Sequence, residues 1–397
     1  MASQRTSRSA VAPHRVLHIG KFYPPFRGGM ESHLQLLSEE LHRSLDLRVV
    51  VSSSTRQASR ERINGVDVTR LATSMRFAGA SISKGMVRCI AESDADIVHL
   101  HLPNPTAIVA YLASGRQGPL VATYHSDIVR QVVLGAGFAP VLHRFLGQCS
   151  AIIVASPNYL ESSPSLRRFR SRCHIIPFGV DPAPFASAGA EIAGQIRARF
   201  GPRIVLAIGR MVGYKGFEYL LSAMPDVHGR LLLIGSGPLS KSLADQARRL
   251  GVSDRVVMLG QVDDVTPYHH AADVFVLPSV TRAEAFGIVQ LEAMAAGTPI
   301  VNTSLESGVP FVSPDGETGL TVPPRDSRAL ARAINQLLDD DTLRERLGAA
   351  GKVRVDALFS ADTMVSRTLD LYDCVMNSYQ RKPARTGPDT PPFDLPV

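Results

Sequence analysis

Short runs of aliphatic and β-branched residues alternate with helical stretches along the chain, and this alternation limits the possible folds more than any other feature. The first half contains five such runs, at residues 16–19, 47–51, 97–100, 120–123 and 152–155. The second half contains five more, at residues 204–208, 231–234, 256–259, 274–277 and 300–302. Strands that alternate with helices predict parallel α/β sheets, which bind ligands at the carboxyl ends of their strands.

The chain is long enough for two domains. Its 397 residues, of which 45% are hydrophobic, exceed the size of a typical domain. Residues 181–194 are rich in Pro, Ala and Gly, which indicates a linker, and the strand-helix pattern begins again after them. We therefore predict two doubly wound, Rossmann-like α/β domains, at residues 15–185 and 186–360, followed by a helix at residues 361–380.

Both ends of the chain are predicted to be loose tails. Residues 1–14 are rich in Ser and Arg and lack acids and an apolar core, so we expect a flexible tail rather than a secretory signal. A transit peptide stays open as an alternative. Residues 381–397 are rich in Pro and are predicted to be disordered.

The sequence predicts a soluble or peripheral cytoplasmic protein. It has no uninterrupted apolar run of about 18 residues, the length that spans a bilayer. Its cysteines lack the paired spacing of a zinc site and fit a reducing compartment. They are Cys89, Cys149, Cys173 and Cys374.

The net charge of +7 is concentrated in the first half of the chain. Residues 1–190 contain 21 Lys and Arg against 12 Asp and Glu, whereas residues 191–397 contain 22 against 24. A basic half favours an anionic partner, such as a phospholipid surface, a phosphorylated acceptor or nucleic acid. Because the chain has no RNA- or DNA-binding signature, we do not expect nucleic acid as a partner.

Two turns that follow predicted strands have the composition of phosphate-binding turns. Gly28 and Gly29 precede a helical stretch at residues 33–42, and a glycine there lets a backbone amide approach a phosphate closely. After the strand at residues 204–208, Arg210 and Lys215 flank a Gly-containing turn. Two cations so placed can hold a diphosphate and stabilise its charge as it leaves. An ordinary βα turn with solvated cations is the alternative.

Glu284 and Glu292 bracket the predicted start of a helix that ends at Gly297. If the helix begins near Phe286 or Gly287, eight positions place the two carboxylates about 12 Å apart. Paired glycosidase carboxylates lie only about 5–9.5 Å apart, so the two cannot act on one glycosidic bond. A nucleotide diphosphate sugar is long enough to reach both. The alternative is a buried helix in which the helix dipole favours the N-terminal glutamate and the other glutamate is exposed to solvent.

Seven short motifs occur in the order typical of one enzyme family. They are Gly28-Gly29, residues 123–127, residues 176–181, Gly209-Arg210 with Lys215-Gly216, residues 235–238, the Glu284 and Glu292 pair, and residues 315–320. Together they resemble the retaining GT-B nucleotide-sugar glycosyltransferases of family four over residues 15–375. The resemblance implies an acceptor-binding N-terminal domain and a nucleotide-sugar-binding C-terminal domain that face a central cleft. It also implies that the C-terminal helix crosses back to the N-terminal domain.

The resemblance further assigns site residues. Arg210 and Lys215 would bind the donor diphosphate, Glu284 the transferred sugar and Glu292 the ribose hydroxyls. His125 would reach the sugar or the reacting centre, so the implied catalytic residues are Glu284, His125, Arg210 and Lys215. Other donor contacts would come from Gly28, Gly29, Gln261, Val262, Phe286, Gly287, Ile288 and Val289, with Gln261 and Val262 near the nucleobase.

No metal or other cofactor is expected. Asp94 and Asp96 form the Asp-x-Asp pattern of metal-dependent transferases, but they immediately precede a predicted strand and so lie opposite the ligand-binding edge. Arg210 and Lys215 can supply the positive charge instead. His269 and His270 match no family role, and we assign them none.

The expected activity is transfer of a hexose, of mannose or rhamnose type, from a nucleotide sugar to a polysaccharide or glycolipid precursor. Retention would proceed by front-face attack, because no carboxylate stands out as a nucleophile. A nucleotide-sugar epimerase and a non-catalytic nucleotide-sugar sensor are the alternatives.

Basic residues that flank the apolar stretch 128–146 predict contact with an anionic membrane or a lipid-linked acceptor, although core packing explains the apolar positions equally well. These basic residues are Arg130, His143, Arg144, Arg167, Arg168, Arg170 and Arg172.

Overall fold

The structure, a computed structural model, describes residues 13–26, 28–77, 80–83, 85–127, 132–187 and 190–381. The expected tails at residues 1–14 and 381–397 fall almost entirely outside the described residues. Arg27, Ile128 and Arg130 also lie outside them.

The first half of the chain forms an eight-stranded sheet with the order β10-β9-β8-β7-β1-β2-β4-β3, and β5 and β6 form a separate hairpin. Its strands are β1 (Arg15–Ile19), β2 (Asp46–Ser52), β3 (Ser59–Ile63), β4 (Val66–Leu71), β5 (Met75–Phe77), β6 (Ala80–Ile82), β7 (Ile97–Leu102), β8 (Leu120–Tyr124), β9 (Ala151–Val154) and β10 (Cys173–Ile175). Its helices are α1 (Gly29–Leu41), α2 (Gly85–Ala91), α3 (Pro105–Ser114), α4 (Val132–Leu146), α5 (Pro157–Ser162) and the 3-10 helix Arg167–Arg172.

The second half forms a six-stranded, all-parallel sheet with the order β13-β12-β11-β14-β15-β16. Its strands are β11 (Ile204–Ile208), β12 (Arg230–Ile234), β13 (Val256–Gly260), β14 (Val274–Val276), β15 (Ile300–Thr303) and β16 (Gly319–Val322). The helices are α6 (Ala183–Ser187), α7 (Ala190–Phe200), α8 (Phe217–Ala223), α9 (Ser240–Arg249), α10 (Thr266–Ala271), α11 (Val289–Ala296), α12 (Val309–Val312), α13 (Ser327–Asp339), α14 (Asp341–Arg354) and α15 (Ala361–Gln380). Shorter turns are the 3-10 segments Gly213–Lys215 and Met224–Asp226 and the π-helical segment Val355–Phe359.

All ten predicted strands are present, and the two-domain α/β fold is confirmed. The sequence reasoning missed six strands, among them β3, which pairs antiparallel with β4 at the edge of the first sheet. This strand is exposed along almost its whole length. It therefore has no apolar run, and only apolar runs were counted as strands.

The predicted linker at residues 181–194 includes helical segments. It contains α6 and the beginning of α7, and Ala193, Ile196 and Phe200 are buried in the core of the second domain. These three residues are three and four positions apart, which is the spacing of one helix face. The Pro, Ala and Gly composition hid this pattern.

The chain crosses between the domains twice at one place. The Val180 amide donates to the Phe359 carbonyl at 2.8 Å, and the Ala361 amide donates to the Val180 carbonyl at 2.9 Å. Beyond this crossing, α15 returns to the first domain, where Met364, Leu371 and Tyr372 are buried in the core beneath β1 and β2. The expected crossover of the C-terminal helix is confirmed.

Each sheet has a switch point at which the strand order reverses direction. In the first sheet β1 lies between β2 and β7, and in the second sheet β11 lies between β12 and β14. Loops that leave the carboxyl ends at such points diverge to opposite faces and leave a crevice for a ligand. The loops after β1, β11 and β14 contain the Gly28-Gly29 pair, Arg210 with Lys215, and Glu284, respectively.

Candidate active site

The turn after β11 is fixed by glycines. Gly216 has a φ of +67°, and a Cβ there would overlap the carbonyl oxygen of Pro278, which follows β14. Gly209 leaves space for the side chain of Lys215, whose Nζ would lie only 3.5 Å from a Cβ at that position. The turn therefore packs against the loop after β14 and directs the Lys215 side chain into that loop. Arg210, in the same turn, is exposed.

Lys215 and Glu284 form a buried ion pair between these two loops. Lys215 Nζ lies 2.5 Å from Glu284 Oε2, which also accepts a hydrogen bond from Ser279 Oγ at 2.9 Å. Both residues are only 8% exposed. Burial lowers the pKa of Lys215, but the adjacent Glu284 carboxylate and Tyr214 together outweigh this effect, and the pKa lies above its usual value. Lys215 therefore carries its charge inside the protein at neutral pH.

Helix α11 begins later than predicted. Its first residue is Val289, because Gly287 has a φ of +76° and cannot be part of a right-handed helix. Glu284 consequently lies in the loop before the helix, and Glu292 is in the first helical turn. The expected separation of about 12 Å assumed a continuous helix, so it does not apply. The predicted helix end is confirmed, with Gly297 left-handed at a φ of +83°.

Buried amides hold the loop before α11, and the sequence reasoning did not identify them. Gln290 Nε2 donates to the Phe286 carbonyl at 3.3 Å, and Asn302 Nδ2 donates to Gln290 Oε1 at 2.9 Å. Asn302 also donates to the Ser313 carbonyl at 3.0 Å. Buried polar side chains of this kind need partners, so these contacts set the path of the loop that carries Glu284.

His269, to which no role was assigned, lies against Glu292. Its Nε2 is 3.4 Å from Glu292 Oε2, and its ring is fully buried at the end of α10. The Thr298 hydroxyl donates to the His269 carbonyl at 2.9 Å. The histidine is therefore placed to orient the Glu292 side chain, which is 29% exposed.

The Gly28-Gly29 pair of the first domain faces the mouth of α11. Helix α1 begins at Gly29, and a Cβ added there would lie 3.8 Å from Ile288 Cδ1 of the second domain. Beside this contact, the rings of Phe178 and Phe286 lie 5.0 Å apart. The predicted donor residues of the two domains thus meet across the cleft.

His125 follows β8 on the first-domain side of this contact. Its ring centroid lies 4.8 Å from that of Phe178, and its Nε2 lies 3.2 Å from His101 Nδ1. Burial, with a smaller effect from His33, holds the pKa of His125 well below its usual value. The imidazole is therefore neutral at physiological pH.

A chain of buried imidazoles joins His125 to the crossover helix. His101 Nε2 lies 3.4 Å from His18 Nδ1, and His18 Nε2 lies 2.9 Å from the hydroxyl oxygen of Tyr372 in α15. His99 Nδ1 lies 2.6 Å from the same oxygen. The sequence analysis singled out only His125. One signal was present in the sequence, because His99 and His101 are two positions apart on one strand and their side chains therefore point to the same face of the sheet.

A second contact joins the two domains. Arg282 Nη2 donates a hydrogen bond to the Asp127 carboxylate. Arg282 Nη1 donates to the Ser162 carbonyl at 2.9 Å. Asp127 also accepts hydrogen bonds from the hydroxyls of Tyr124 at 2.7 Å and Ser163 at 2.8 Å. Asp127 is part of the motif at residues 123–127, and its side chain makes contacts at the interface between the domains.

The remaining predicted positions fall as follows. Gln261 and Val262 follow the carboxyl end of β13, with Gln261 exposed and Val262 packed against the second-domain core. Asp94 and Asp96 lie at the amino end of β7, where Arg48 Nη1 donates to Asp94 at 2.9 Å and Arg15 Nη2 to Asp96 at 2.8 Å. These two carboxylates are structural partners of arginines.

The structure describes part of the predicted amphipathic surface. Leu142, Phe145 and Leu146 of α4 are buried in the first-domain core, so for them core packing is the correct explanation. The side chains of Arg144, Arg167, Arg168, Arg170 and Arg172 are exposed. Within the described residues, no helix is both long and apolar enough to cross a bilayer.

The chain is similar in sequence to known glycosyltransferases. The chain matches Glycosyltransferase Family 4 over residues 27–184 and Glycosyl transferases group 1 over residues 202–340. D-rhamnosyltransferase WbpZ of Pseudomonas aeruginosa is 33% identical over 353 residues, covering 87% of this chain and 92% of WbpZ. O-antigen chain mannosyltransferase C of Escherichia coli is 30% identical over 370 residues, covering 92% of this chain and 99% of that protein.

The fold has close relatives among solved structures. Sucrose-phosphate synthase from Thermosynechococcus elongatus aligns with a TM-score of 0.77 at 24% identity, covering 92% of this chain and 100% of that one. A similarity at this identity shows the fold alone, whereas the two relatives above 30% identity show the family. The chain belongs to the group 1 glycosyltransferases of family four and has their two-domain GT-B fold.

Proposed function

We propose that this glycosyltransferase moves a hexose, with retention of anomeric configuration, from a nucleotide diphosphate sugar to a polysaccharide or glycolipid precursor. The observation that carries the proposal is the Lys215–Glu284 pair, which lies at the switch point of the second sheet. A buried cation and a buried carboxylate there offer one group for a diphosphate and one for sugar hydroxyls. Gly29 of the first domain lies against Ile288, four residues after Glu284.

In this proposal the donor lies along the loop before α11. Lys215 and the exposed Arg210 bind the diphosphate, Glu284 binds the sugar, and Glu292 binds the ribose. The backbone between Phe286 and Val289 contacts the sugar or the phosphates, because the amides at a helix start attract anions. Gln261 and Val262 flank the nucleobase, and Gly28 and Gly29 close the site from the other domain.

The environment of Glu284 favours front-face transfer over a covalent intermediate. Its Oε2 is held by an ammonium group and a hydroxyl, and a carboxylate so neutralised is a poor nucleophile. The bond from the anomeric carbon to the phosphate oxygen breaks as a bond to the acceptor oxygen forms on the same face. The acceptor proton passes to the leaving phosphate. Arg210 and Lys215 stabilise the negative charge on that phosphate, so the step needs no metal or other cofactor. His125 contacts the sugar at the reacting centre.

The stereochemical proposal is tested by the anomeric configuration of the product, determined by NMR during transfer from an α-linked nucleotide sugar. We expect an α-linked product. A β-linked product, or a covalent glycosyl-enzyme trapped in a Glu284→Gln variant and seen by mass spectrometry, would contradict the mechanism.

The sugar is proposed to be of mannose or rhamnose type, because WbpZ is a D-rhamnosyltransferase and the Escherichia coli relative is a mannosyltransferase. Thermal-shift measurements with GDP, UDP and dTDP identify the nucleotide, since a ligand that binds only the native state raises its stability. At a concentration 100 times its Kd, the correct diphosphate should add about 2.7 kcal/mol. If none of the three raises the Tm, the nucleotide-sugar proposal fails.

We also propose that the acceptor, or the membrane that carries it, binds the arginines around the 3-10 helix Arg167–Arg172. Arg144, Arg167 and Arg168 are exposed on this surface, and Arg170 pairs with Glu161 at 3.6 Å. Juxtamembrane basic residues contribute about 1 kcal/mol each toward anionic lipid. Substituting Arg167, Arg168 and Arg170 by Gln should therefore reduce binding to vesicles containing phosphatidylglycerol by roughly 100-fold.

The control for this experiment removes the same charge elsewhere. Arg328, Arg332 and Arg346 are exposed on the second domain. Their triple Gln variant should co-sediment with the vesicles as the wild-type protein does. Equal losses in the two variants would show that only net charge matters, and no loss in the first would remove the proposed surface.

A further inference from the structure

Three histidines beside the cleft have ring nitrogens directed at one another. His33 lies in α1, His101 lies in β7, and His125 directly follows β8. One ring nitrogen from each lies within 4.8 Å of the others, and His101 Nδ1 lies 3.2 Å from His125 Nε2. All three rings are buried.

His33 is the unusual member of this group. It is only 5% exposed, yet within the described part of the chain neither of its ring nitrogens has a hydrogen-bond partner. A buried imidazole without a partner costs about 1–3 kcal/mol in stability. Its ring faces the rings of His101 and His125 at centroid distances of 5.7 and 5.0 Å. A ligand that accepts nitrogen lone pairs would satisfy His33 together with its neighbours.

A second group of three neighbouring histidines needs no ligand, because its ring nitrogens already have partners in the protein. His18 and His99 both contact the Tyr372 hydroxyl, at 2.9 and 2.6 Å, and His99 also contacts the Thr123 hydroxyl at 2.7 Å. With His101 these two form a second group of close nitrogens. Because that hydroxyl already lies between their nitrogens, this second group is engaged in protein contacts.

We propose that His33, His101 and His125 form a three-histidine site for a divalent transition-metal ion such as Zn²⁺ or Co²⁺. Bonds of about 2.0–2.1 Å in a tetrahedral arrangement bring ligand nitrogens to roughly 3.4 Å from one another, close to the 3.2 Å between His101 and His125. Imidazole ligands select zinc, cobalt, nickel or copper over magnesium and calcium, which prefer oxygen. His18, 3.4 Å from His101, supplies the outer contact that orients a metal-binding imidazole.

The site would make transfer sensitive to these metals, a consequence that rests on the proposed function. A metal bound to His125 occupies the lone pair of the imidazole that we place at the sugar. Zn²⁺ should then inhibit transfer, and a chelator should restore it. Metal binding itself is measured without any donor or acceptor, so a failure of the proposed function leaves the binding result interpretable.

The decisive experiment titrates the full chain with Co²⁺ and follows the visible absorption of tetrahedral cobalt, with the bound metal counted after dialysis. We expect one ion per chain. Loss of an outer contact to a metal ligand costs 10–100-fold in affinity, so His33→Phe, which removes a direct ligand, should cost more than about 100-fold. His99 offers no nitrogen to the site, and His99→Phe keeps an aromatic ring stacked on His101, so this variant should bind Co²⁺ as the wild type does.

Two results would overturn the site. One is wild-type protein without the absorption of tetrahedral cobalt. The other is loss of binding in His99→Phe with binding retained in His33→Phe. Circular dichroism checks that each variant is folded, and His125→Phe replaces His33→Phe if the latter is not. An exposed histidine, His228, serves as a further control, and His228→Gln should leave both the stoichiometry and the affinity unchanged.

Discussion

Lys215 and Glu284 have to be treated as one unit, because each is buried and each is the charge partner of the other. Removing one member of a buried pair leaves an unpaired charge, which costs about 3–5 kcal/mol. Removing both charges is much less harmful, since no isolated ion remains.

We therefore predict that Lys215→Met destabilises the protein by about 3 kcal/mol and that adding Glu284→Gln restores at least about 1 kcal/mol. Urea denaturation of the two single variants and the double variant measures this coupling. All three variants should lose about 100-fold or more in transfer rate, because the charges act on the donor. Additive stability changes would show that the two side chains do not interact in solution.

His269 provides a separate test of the ribose position. His269→Phe keeps the ring packing against Phe275 but removes the nitrogen 3.4 Å from Glu292. Loss of this close contact between a ring nitrogen and a carboxylate, worth at most about 1 kcal/mol, should raise the Kd for the nucleoside diphosphate by up to about fivefold. Calorimetry of nucleotide binding measures this change, with the neighbouring His270→Gln as the control. An unchanged Kd would mean that Glu292 needs no orienting partner.

The sequence predicted site residues one by one but not the contacts between them. Lys215 and Glu284 were assigned to phosphate and sugar by resemblance, and nothing in their spacing indicated that they touch. His269 was assigned no function because it matches no role in the family. Contacts between turns that lie far apart in sequence depend on how two strands sit side by side, and local patterns do not contain that information.

The turn between β11 and α8 illustrates how an element depends on single glycines. Gly216 has a left-handed φ and no space for a Cβ, because Pro278 lies against it. Gly213, three residues earlier in the same turn, has nothing within 4 Å of a Cβ at that position. We predict that Gly216→Ala lowers the free energy of unfolding by about 2 kcal/mol or more, whereas Gly213→Ala changes it by less than about 1 kcal/mol. Chemical denaturation compares the two, and equal effects would contradict the close approach.

The crossover helix α15 is held by a polar contact as well as by its apolar face. The Tyr372 hydroxyl contacts His18 and His99, and all three side chains are buried. Tyr372→Phe leaves two imidazole nitrogens without this partner, so we predict a loss of about 1–3 kcal/mol in stability. Tyr379→Phe, at an exposed position of the same helix, should be neutral. A Tyr372→Phe protein as stable as the wild type would show that water can replace the hydroxyl.

Helical periodicity predicted α15 almost to the residue, but it placed the start of α11 too early. The reason is local. Residues 361–380 form an uninterrupted helix, whereas the apolar spacing around Ile288 continues through Gly287, whose backbone is left-handed. Apolar spacing reports which side chains are buried, and it does not report the backbone angle of a glycine.

The two-domain architecture followed from the alternation of strands and helices, but the way the domains are joined did not. The composition of residues 181–194 predicted a linker, but it did not predict that the chain crosses between the domains at paired backbone segments around Val180 and Phe359. Two paired crossings next to each other form a compact hinge. Contacts elsewhere across the cleft must then decide how far the domains open about it.

Arg282 and Asp127 form such a contact, and we predict that it holds the two domains together as they are in the structure. The pair is partly shielded, with side-chain exposures of 27% and 12%, and Arg282 also donates to the Ser162 carbonyl. Arg282→Met removes both interactions while Asp127 keeps its hydroxyl partners Tyr124 and Ser163, so the domains should separate more readily without unfolding. Small-angle X-ray scattering should show a larger radius of gyration, and the KM for the donor should rise about tenfold, because donor binding must then close the cleft.

The matched control is Arg203→Met, which removes an exposed ion pair with Asp339 inside the second domain and should change neither the radius of gyration nor the KM. A radius of gyration unchanged in Arg282→Met would mean that the hinge segments alone hold the domains together.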